Sequence, residues 1–325
     1  MSSRHSRRDL LAAGLAGSTA LAMPAFVRAQ DSWPTRPIEL VVGFAAGGGT
    51  DTTARTVARY LERELGGQVI VANRPGASGE LALNAISKAA PDGYLLGVTN
   101  YPGLLSLPIE RNVGYKSDSF HYLANLVSDP SAFSVAADGP IKSIADLVAK
   151  AKAEPGKVTF GSTGVGTDEH LALSLFEQLG SLKLSHVPYR GAGPLGTDLL
   201  GRHIEAAGLN IGEAVPLGDK IKVIVQGGAK RSRFAPDAPT FREAGFPFEM
   251  RSERGIVAPK GLKPEIAKRL SDALAKVAAN PDFVRQIESQ YTELLYLPGE
   301  TWEAHLKREN EVLSRLWKER PWSGN

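Results

Sequence analysis

Two patterns of apolar and polar positions recur along this chain. Residues 38–44, with Ile38, Leu40, Val41, Val42 and Phe44 interrupted only by Glu39 and Gly43, predict a buried strand. Beyond it, Ala54, Val57, Ala58, Leu61 and Leu65 repeat at three-and-four spacing, the stripe of a half-buried helix, and Gly66-Gly67 stop it. Residues 69–72 predict a second strand and 81–89 a second helix. Pro91-Asp92-Gly93 then predicts a turn into a third strand over 94–99. The order returns further on. Ser143 with Asp146 has the spacing of a capped helix start, and Pro155-Gly156 closes that helix. A strand over 157–160, a glycine-rich turn over 161–166 and a helix marked by Leu171, Leu175 and Leu179 follow. Strands near 184–187, 204–209 and 221–225 and helices over 264–279 and 301–319 complete the pattern. Strands alternating with helices imply parallel sheets covered by helices. The chain therefore reads as two α/β units, with no short-period repeat.

Each unit has a glycine turn between a strand and a helix. The first lies in GFAAGGGTDTTAR (Gly43 to Arg55) and the second in GSTGVGT (Gly161 to Thr167). Such a turn exposes unsatisfied backbone N–H groups at the positive end of a helix dipole, which is a site for an anion. Glycine permits close approach of a ligand and positive φ. Thr50, Asp51 and Thr167 are expected to cap the helices that follow. Neither turn has the lysine of a P-loop, and Glu169 breaks the dinucleotide spacing of the second. Arg55, inside the helix, is expected to face solvent. A compact carboxylate fits better than a triphosphate. Micromolar binding corresponds to about 8 kcal/mol. A few charge-assisted hydrogen bonds of roughly 1.5–3 kcal/mol from each of two turns reach that after desolvation, and one turn alone does not.

Composition changes the picture at the N-terminus. Arg7-Arg8 followed by a weakly apolar run to Met23, with Val27-Arg28-Ala29 at its end, reads as a twin-arginine export signal cut after Ala29. The whole chain has 38 Lys and Arg against 35 Asp and Glu. The leader takes four of the former (Arg4, Arg7, Arg8, Arg28) and one of the latter (Asp9), leaving 34 of each. With no field of one sign, neither nucleic acid nor a membrane surface is an expected partner. The absence of cysteine excludes disulfides, thiol nucleophiles and Cys-ligated metals.

Catalytic and metal patterns are not legible. His121, His170, His186, His203 and His305 have no ligand spacing, and only His170 is expected near a ligand. Ser162 misses the nucleophile-elbow pattern by one residue. Asp168-Glu169 is expected to serve the helix dipole. No nucleophile–base pair is found. Three functional classes stay open: a carboxylate receptor, a cleft enzyme acting on an organic acid or phosphate ester, and an interaction module without a small ligand.

Seven short motifs occur in an order that carries a resemblance. They are WPTRPI from Trp33, GGGTD from Gly47, NRPGA from Asn73, AAPDGY from Ala89, GS through HLA from Gly161 to Ala172, HVPYRG with DLLG from His186 to Gly201, and AKRS with DAPT from Ala229 to Thr240. With these the chain resembles the Bug (TctC-like) periplasmic receptors of tripartite tricarboxylate transporters over nearly its whole length beyond the leader. The resemblance implies a two-domain periplasmic binding protein of type II-like architecture, each domain a mostly parallel sheet flanked by helices and joined by crossover strands. The expected boundaries are 30–128 plus 248–325 for one domain and 129–247 for the other. It implies a small carboxylate held in the cleft, no cofactor, and delivery to inner-membrane transporter subunits or a sensor. The implied contacts fall on Phe44, Gly47, Gly48, Gly49, Thr50, Asp51, Asn100, Ser162, Thr163, Gly166, Thr167, His170, Tyr189 and Asn210. The chain departs from the family pattern at Ala45-Ala46, Asn100-Tyr101, Leu209 and Arg251 to Gly255. Tyr101 is expected to add a ring for stacking and Arg254 a guanidinium for a second carboxylate.

Overall fold

The computed structural model describes residues 33–323, so the export-signal reading lies outside the described residues. The chain begins with β1 (Ile38–Val42), α1 (Gly49–Leu65), β2 (Val69–Asn73), α2 (Glu80–Ser87), β3 (Leu95–Tyr101) and α3 (Gly103–Glu110). The long strand β4 (Phe120–Ala136) follows, then α4 (Ile144–Ala153), β5 (Thr159–Ser162), α5 (Asp168–Gly180), β6 (Ser185–Pro188) and α6 (Ala192–Leu200). Next come β7 (Ala206–Asn210), the short α7 (Ile211–Ala214), β8 (Ile221–Gln226) and β9 (Arg251–Pro259). The last elements are α8 (Pro264–Ala279), α9 (Pro281–Ser289), β10 (Glu293–Pro298) and α10 (Gly299–Glu319).

The strands form a mixed sheet in the order β2-β1-β3-β9-β4-β7-β5-β6, with β8 and β10 also paired to β4. β1 is parallel to β2 and β3, and β5 is parallel to β6 and β7, as the alternating pattern predicts. The centre is antiparallel. β9 pairs with β3 and with residues 120–130 of β4, while residues 131–136 of β4 pair with β7 and β8. β4 thus passes from one half of the sheet to the other.

The outer and central strands differ for a physical reason. Ile38, Leu40, Val41 and Val42 of β1 are fully buried, so the strand is apolar on both faces and readable as a run. β4 and β9 are equally buried but carry Asn125, Asp129, Ser131, Ser134, Glu253 and Arg254. Most of these groups find a partner: Arg254 bonds Asp129, Ser131 bonds Asp168 of α5, Asn125 Nδ2 bonds the Leu295 carbonyl and Glu253 meets His305 of α10, while Ser134 Oγ is buried without one. Apolar packing surrounds them. Phe133 of β4 meets Phe160, Phe176 and Phe241 edge-on at 4.6, 5.4 and 5.0 Å between ring centroids. Trp302 of α10 lies edge-on to Tyr122 at 5.1 Å.

Helix starts follow the capping logic unevenly. Ser143 Oγ accepts from the Asp146 amide at 3.1 Å, as its spacing predicts. For α1, Gly48 is the N-cap, so Thr50 and Asp51 lie within the first turn instead of capping it. Thr167 is the N-cap residue of α5, but its side chain bonds Gly164 O at 2.8 Å and not a helix amide.

Candidate functional site

The turn after β1 is held from behind. Asp51 accepts from the Gly47 amide at 3.0 Å and from Asn73 Nδ2 at 2.8 Å, and Arg55 pairs with it at 2.9 Å. Burial works to raise the Asp51 carboxyl, but Arg55, the Gly47 amide and Asn73 outweigh it and hold it below its usual range. Asp51 therefore shapes the turn and does not face the cleft. At the front, the Gly49 amide donates to Glu213 Oε1 at 2.9 Å. A side-chain carboxylate from the other half of the sheet thus sits on the N-terminus of α1.

The turn after β5 is braced in a similar way. Ser162 Oγ lies 2.7 Å from His186 Nε2, and His170 Nδ1 accepts from the Gly166 amide at 3.1 Å. The sequence reading found no nucleophile–base pair, and the fold brings Ser162 and His186 together. Ser162 is fully buried, however, and lines neither cleft cavity, so the pair is a brace and offers no exposed nucleophile. Gly164 at φ +141° permits close approach of the facing segment, since a Cβ there would lie 2.4 Å from Ser78 Oγ.

Between the turns, Arg254 from β9 enters a fully buried polar cluster. Its Nη1 donates to Asp129 Oδ2 at 2.9 Å, and its Nη2 donates to Asn210 Oδ1 at 3.0 Å and stands 3.6 Å from Glu213 Oε1. Its Nε has no hydrogen-bond partner. Asn210 Nδ2 donates to Asp168 Oδ2 at 2.6 Å, and Ser131 Oγ donates to the same oxygen at 3.0 Å. Thr163 Oγ1 donates to Glu169 Oε2 at 2.7 Å. Burial pushes Asp129 up to about 6 despite Arg254, and it also pushes Asp168 and Glu169 up, with Glu213 adding to both. One guanidinium thus faces three carboxyl groups, Asp129, Glu213 and Asp168.

Two spaces that share Phe44 and Thr163 in their linings belong to this cleft. The inner one, about 10 Å³, is lined by Phe44, Gly48, Gly49, Thr50, Asn100, Thr163, Asn210 and Arg254 among the expected residues. Asp168, Glu169, Ala192, Glu213 and Ser252 line it as well. The outer space, about 450 Å³, is lined by Phe44, Thr163 and Tyr189, with Arg111 and Arg190 at its rim. Tyr189 also donates its hydroxyl to Asp198 at 2.7 Å.

Seven expected contacts lie elsewhere. Gly47, Asp51, Ser162, Gly166, Thr167 and His170 support the turns from behind and line neither space. Tyr101 follows Asn100 on a strand and so points to the opposite face. Its hydroxyl donates to Glu309 of α10 at 2.5 Å, away from the cleft, which corrects the expected stacking role. Arg254 is present as expected, but Asp129 and Glu213 already face its charge. Asp168 and Glu169 lie in the first turn of α5, where they complement its dipole as expected, and they are also buried against the cleft. Glu213 had a usable signal that the sequence reading passed over: Asn210 with a glutamate three residues on is a capping box, and the structure forms it.

The histidines behind the second turn give a pH prediction. His170 and His186 stack at 4.5 Å between centroids. Burial pushes them down to about 3 and about 4, so both are neutral in the fold. The unfolded chain binds these protons near pH 6.5, so the stability they contribute is complete above that pH and is lost as pH falls toward 4. Asp129 works in the opposite sense, taking its proton in the folded state near pH 6. His186→Gln is expected to make the acid-side loss of stability shallower by about 1.4 kcal/mol per pH unit near pH 5. Urea unfolding of wild type and variant between pH 8 and pH 4.5 checks this, and equal slopes would remove His186 from the account.

Known proteins share this architecture. The family described as Tripartite tricarboxylate transporter family receptor matches residues 53–309. The UPF0065 protein in the gbd 5′ region of Cupriavidus necator is 35% identical over 322 residues, 95% of this chain and 98% of that protein. The periplasmic binding protein BugD superimposes with a TM-score of 0.84 at 28% identity, covering 90% of this chain and all of that one. An R. palustris protein solved with adipate superimposes with a TM-score of 0.81 at 28% identity, covering 88% of this chain and 96% of its own. Among the described residues no helix is long and apolar enough to cross a membrane. With two opposed glycine turns on this sheet and these matches, the chain belongs to the tripartite tricarboxylate transporter receptor family.

Proposed function

We propose that this protein is a periplasmic receptor that captures a small organic acid in the cleft between the β1–α1 and β5–α5 turns and delivers it to a membrane transporter. The observation that carries the reading is the Gly49 amide, which already holds a carboxylate from across the cleft at 2.9 Å. A turn that binds one carboxylate through a helix-terminal N–H is chemically suited to bind another. Adipate in the R. palustris relative supports the same ligand class. The contacts we assign to the ligand are Phe44, Gly48, Gly49, Thr50, Asn100, Thr163, Tyr189, Asn210 and Arg254.

The two lobes of this reading divide within β4 and just before β9, at 30–128 plus 248–325 and 129–247. Capture then consists of closure about these crossings, with no bond made or broken. Delivery goes to inner-membrane transporter subunits or to a sensor, and export uses the twin-arginine route.

A thermal-shift screen against mono-, di- and tricarboxylates tests the reading. A ligand at about a hundred times its Kd stabilises by about 2.7 kcal/mol, which raises the unfolding midpoint by roughly 4–5 °C. No shift with any acid would overturn the receptor, and chemical conversion of a bound acid would favour an enzyme.

A further inference from the structure

Glu213 has two bonding duties that separate cleanly. Its Oε2 accepts from the Asn210 amide at 3.1 Å, closing the capping box of α7. Its Oε1 leaves α7 altogether and accepts from the Gly49 amide at 2.9 Å, 3.6 Å from the Arg254 guanidinium. Those two groups are among the donors lining the inner cleft and are suited to an acid. Arg254 is buried, and its Nε has no partner, so the guanidinium has a donor not committed to the cluster.

We propose that Glu213 is an internal competitor for the ligand's carboxylate, and that it sets specificity by being displaced. The inference rests on the receptor reading. Two carboxylates cannot share the Gly49 amide, because like charges a few ångströms apart in a buried site repel strongly. An entering acid therefore takes the Gly49 amide and the face of Arg254, and Glu213 turns outward. Its capping bond to Asn210 is made by the other oxygen of the same carboxylate, so Glu213 leaves the Gly49 amide by pivoting about that bond. Acids that supply more contacts elsewhere in the cleft displace Glu213 best. Asp168 and Glu169, which line the same space, sharpen that selection.

The test is calorimetric titration of malate, adipate and citrate into wild type, Glu213→Ala and Glu213→Gln. The expected result is at least tenfold tighter binding of one or more acids by Glu213→Ala, with Glu213→Gln also tighter than wild type. Glutamine keeps an oxygen acceptor for one of the two amides and removes the charge, so it guards against simple loss of the cap. Binding that is equal or weaker in both folded variants, with wild type binding an acid, would overturn the proposal and leave the receptor reading standing. Failure of both variants to fold would mark Glu213 as a structural tie and overturn it as well. No binding of any acid by any of the three proteins would remove the receptor reading and this proposal together.

Discussion

Arg254→Ala is expected to lower the midpoint of thermal unfolding by about 5–8 °C and to abolish measurable acid binding. The guanidinium is fully buried and bonded to Asp129 at 2.9 Å and Asn210 at 3.0 Å, with Glu213 at 3.6 Å. Removing it leaves Asp129 buried without its cation. Breaking such a pair from one side costs about 3–5 kcal/mol, because the remaining charge is uncompensated. The proper control is the double variant Arg254→Ala with Asp129→Asn, which removes the stranded charge. It should recover part of the lost stability and none of the binding, since the guanidinium is still missing. Thermal unfolding and titration of the four proteins in that cycle check both statements. A single variant within about 2 °C of wild type would show that the cluster carries no such coupling.

Gly49→Ala is expected to reduce acid affinity at least tenfold and to destabilise by about 1–3 kcal/mol. A Cβ at this position would lie 2.6, 2.8 and 2.9 Å from Nη2, Cζ and Nη1 of Arg254. The guanidinium has little room to withdraw, because Asp129 and Asn210 hold it from the far side. The methyl group would also narrow an inner space of only about 10 Å³. Calorimetric titration and thermal unfolding measure the two effects. Wild-type affinity in the variant would mean that neither the Gly49–Arg254 approach nor the space beside it matters to the ligand.

These two expectations differ in what the sequence could supply. The glycine at 49 is readable, because strand, glycine run and helix follow one another along the chain. That order predicted β1, α1 and the turn between them, and the equivalent turn before α5. Arg254 could be proposed from sequence only as a departure from the family pattern. Its neutralisation by Asp129 and Glu213 could not be foreseen. β4 and β9 escaped as strands for the same reason. Polar residues such as Asn125, Asp129, Ser131 and Glu253 interrupt their apolar pattern, and their burial is made tolerable by partners far away in the chain.

Tyr101 and Asp51 mark the other boundary of inference. Both were placed in the site because they adjoin residues that belong there. On a strand the neighbour of a cleft residue faces the opposite side, and Tyr101 accordingly bonds Glu309 of α10. Asp51 bonds the Gly47 amide of its own turn and the Asn73 amide nitrogen behind it. Adjacency in sequence predicts which loop a residue belongs to, and the direction of its side chain depends on the element's period and on what packs behind it.

The two α/β units, the paired glycine turns that present amides to an anion, and the family resemblance are all legible in the residue order, because they rest on local succession and spacing. That a carboxylate of the chain's own occupies one of those amides, and that one arginine is shared among Asp129, Asn210 and Glu213, emerges only once the chain is folded. The hydrogen bonds and ion pair of this buried cluster join residues 44 and 125 positions apart, as Asn210 and Asp129 are from Arg254. No local pattern of hydrophobic and polar positions encodes a partner at that distance, and burial makes the partner indispensable.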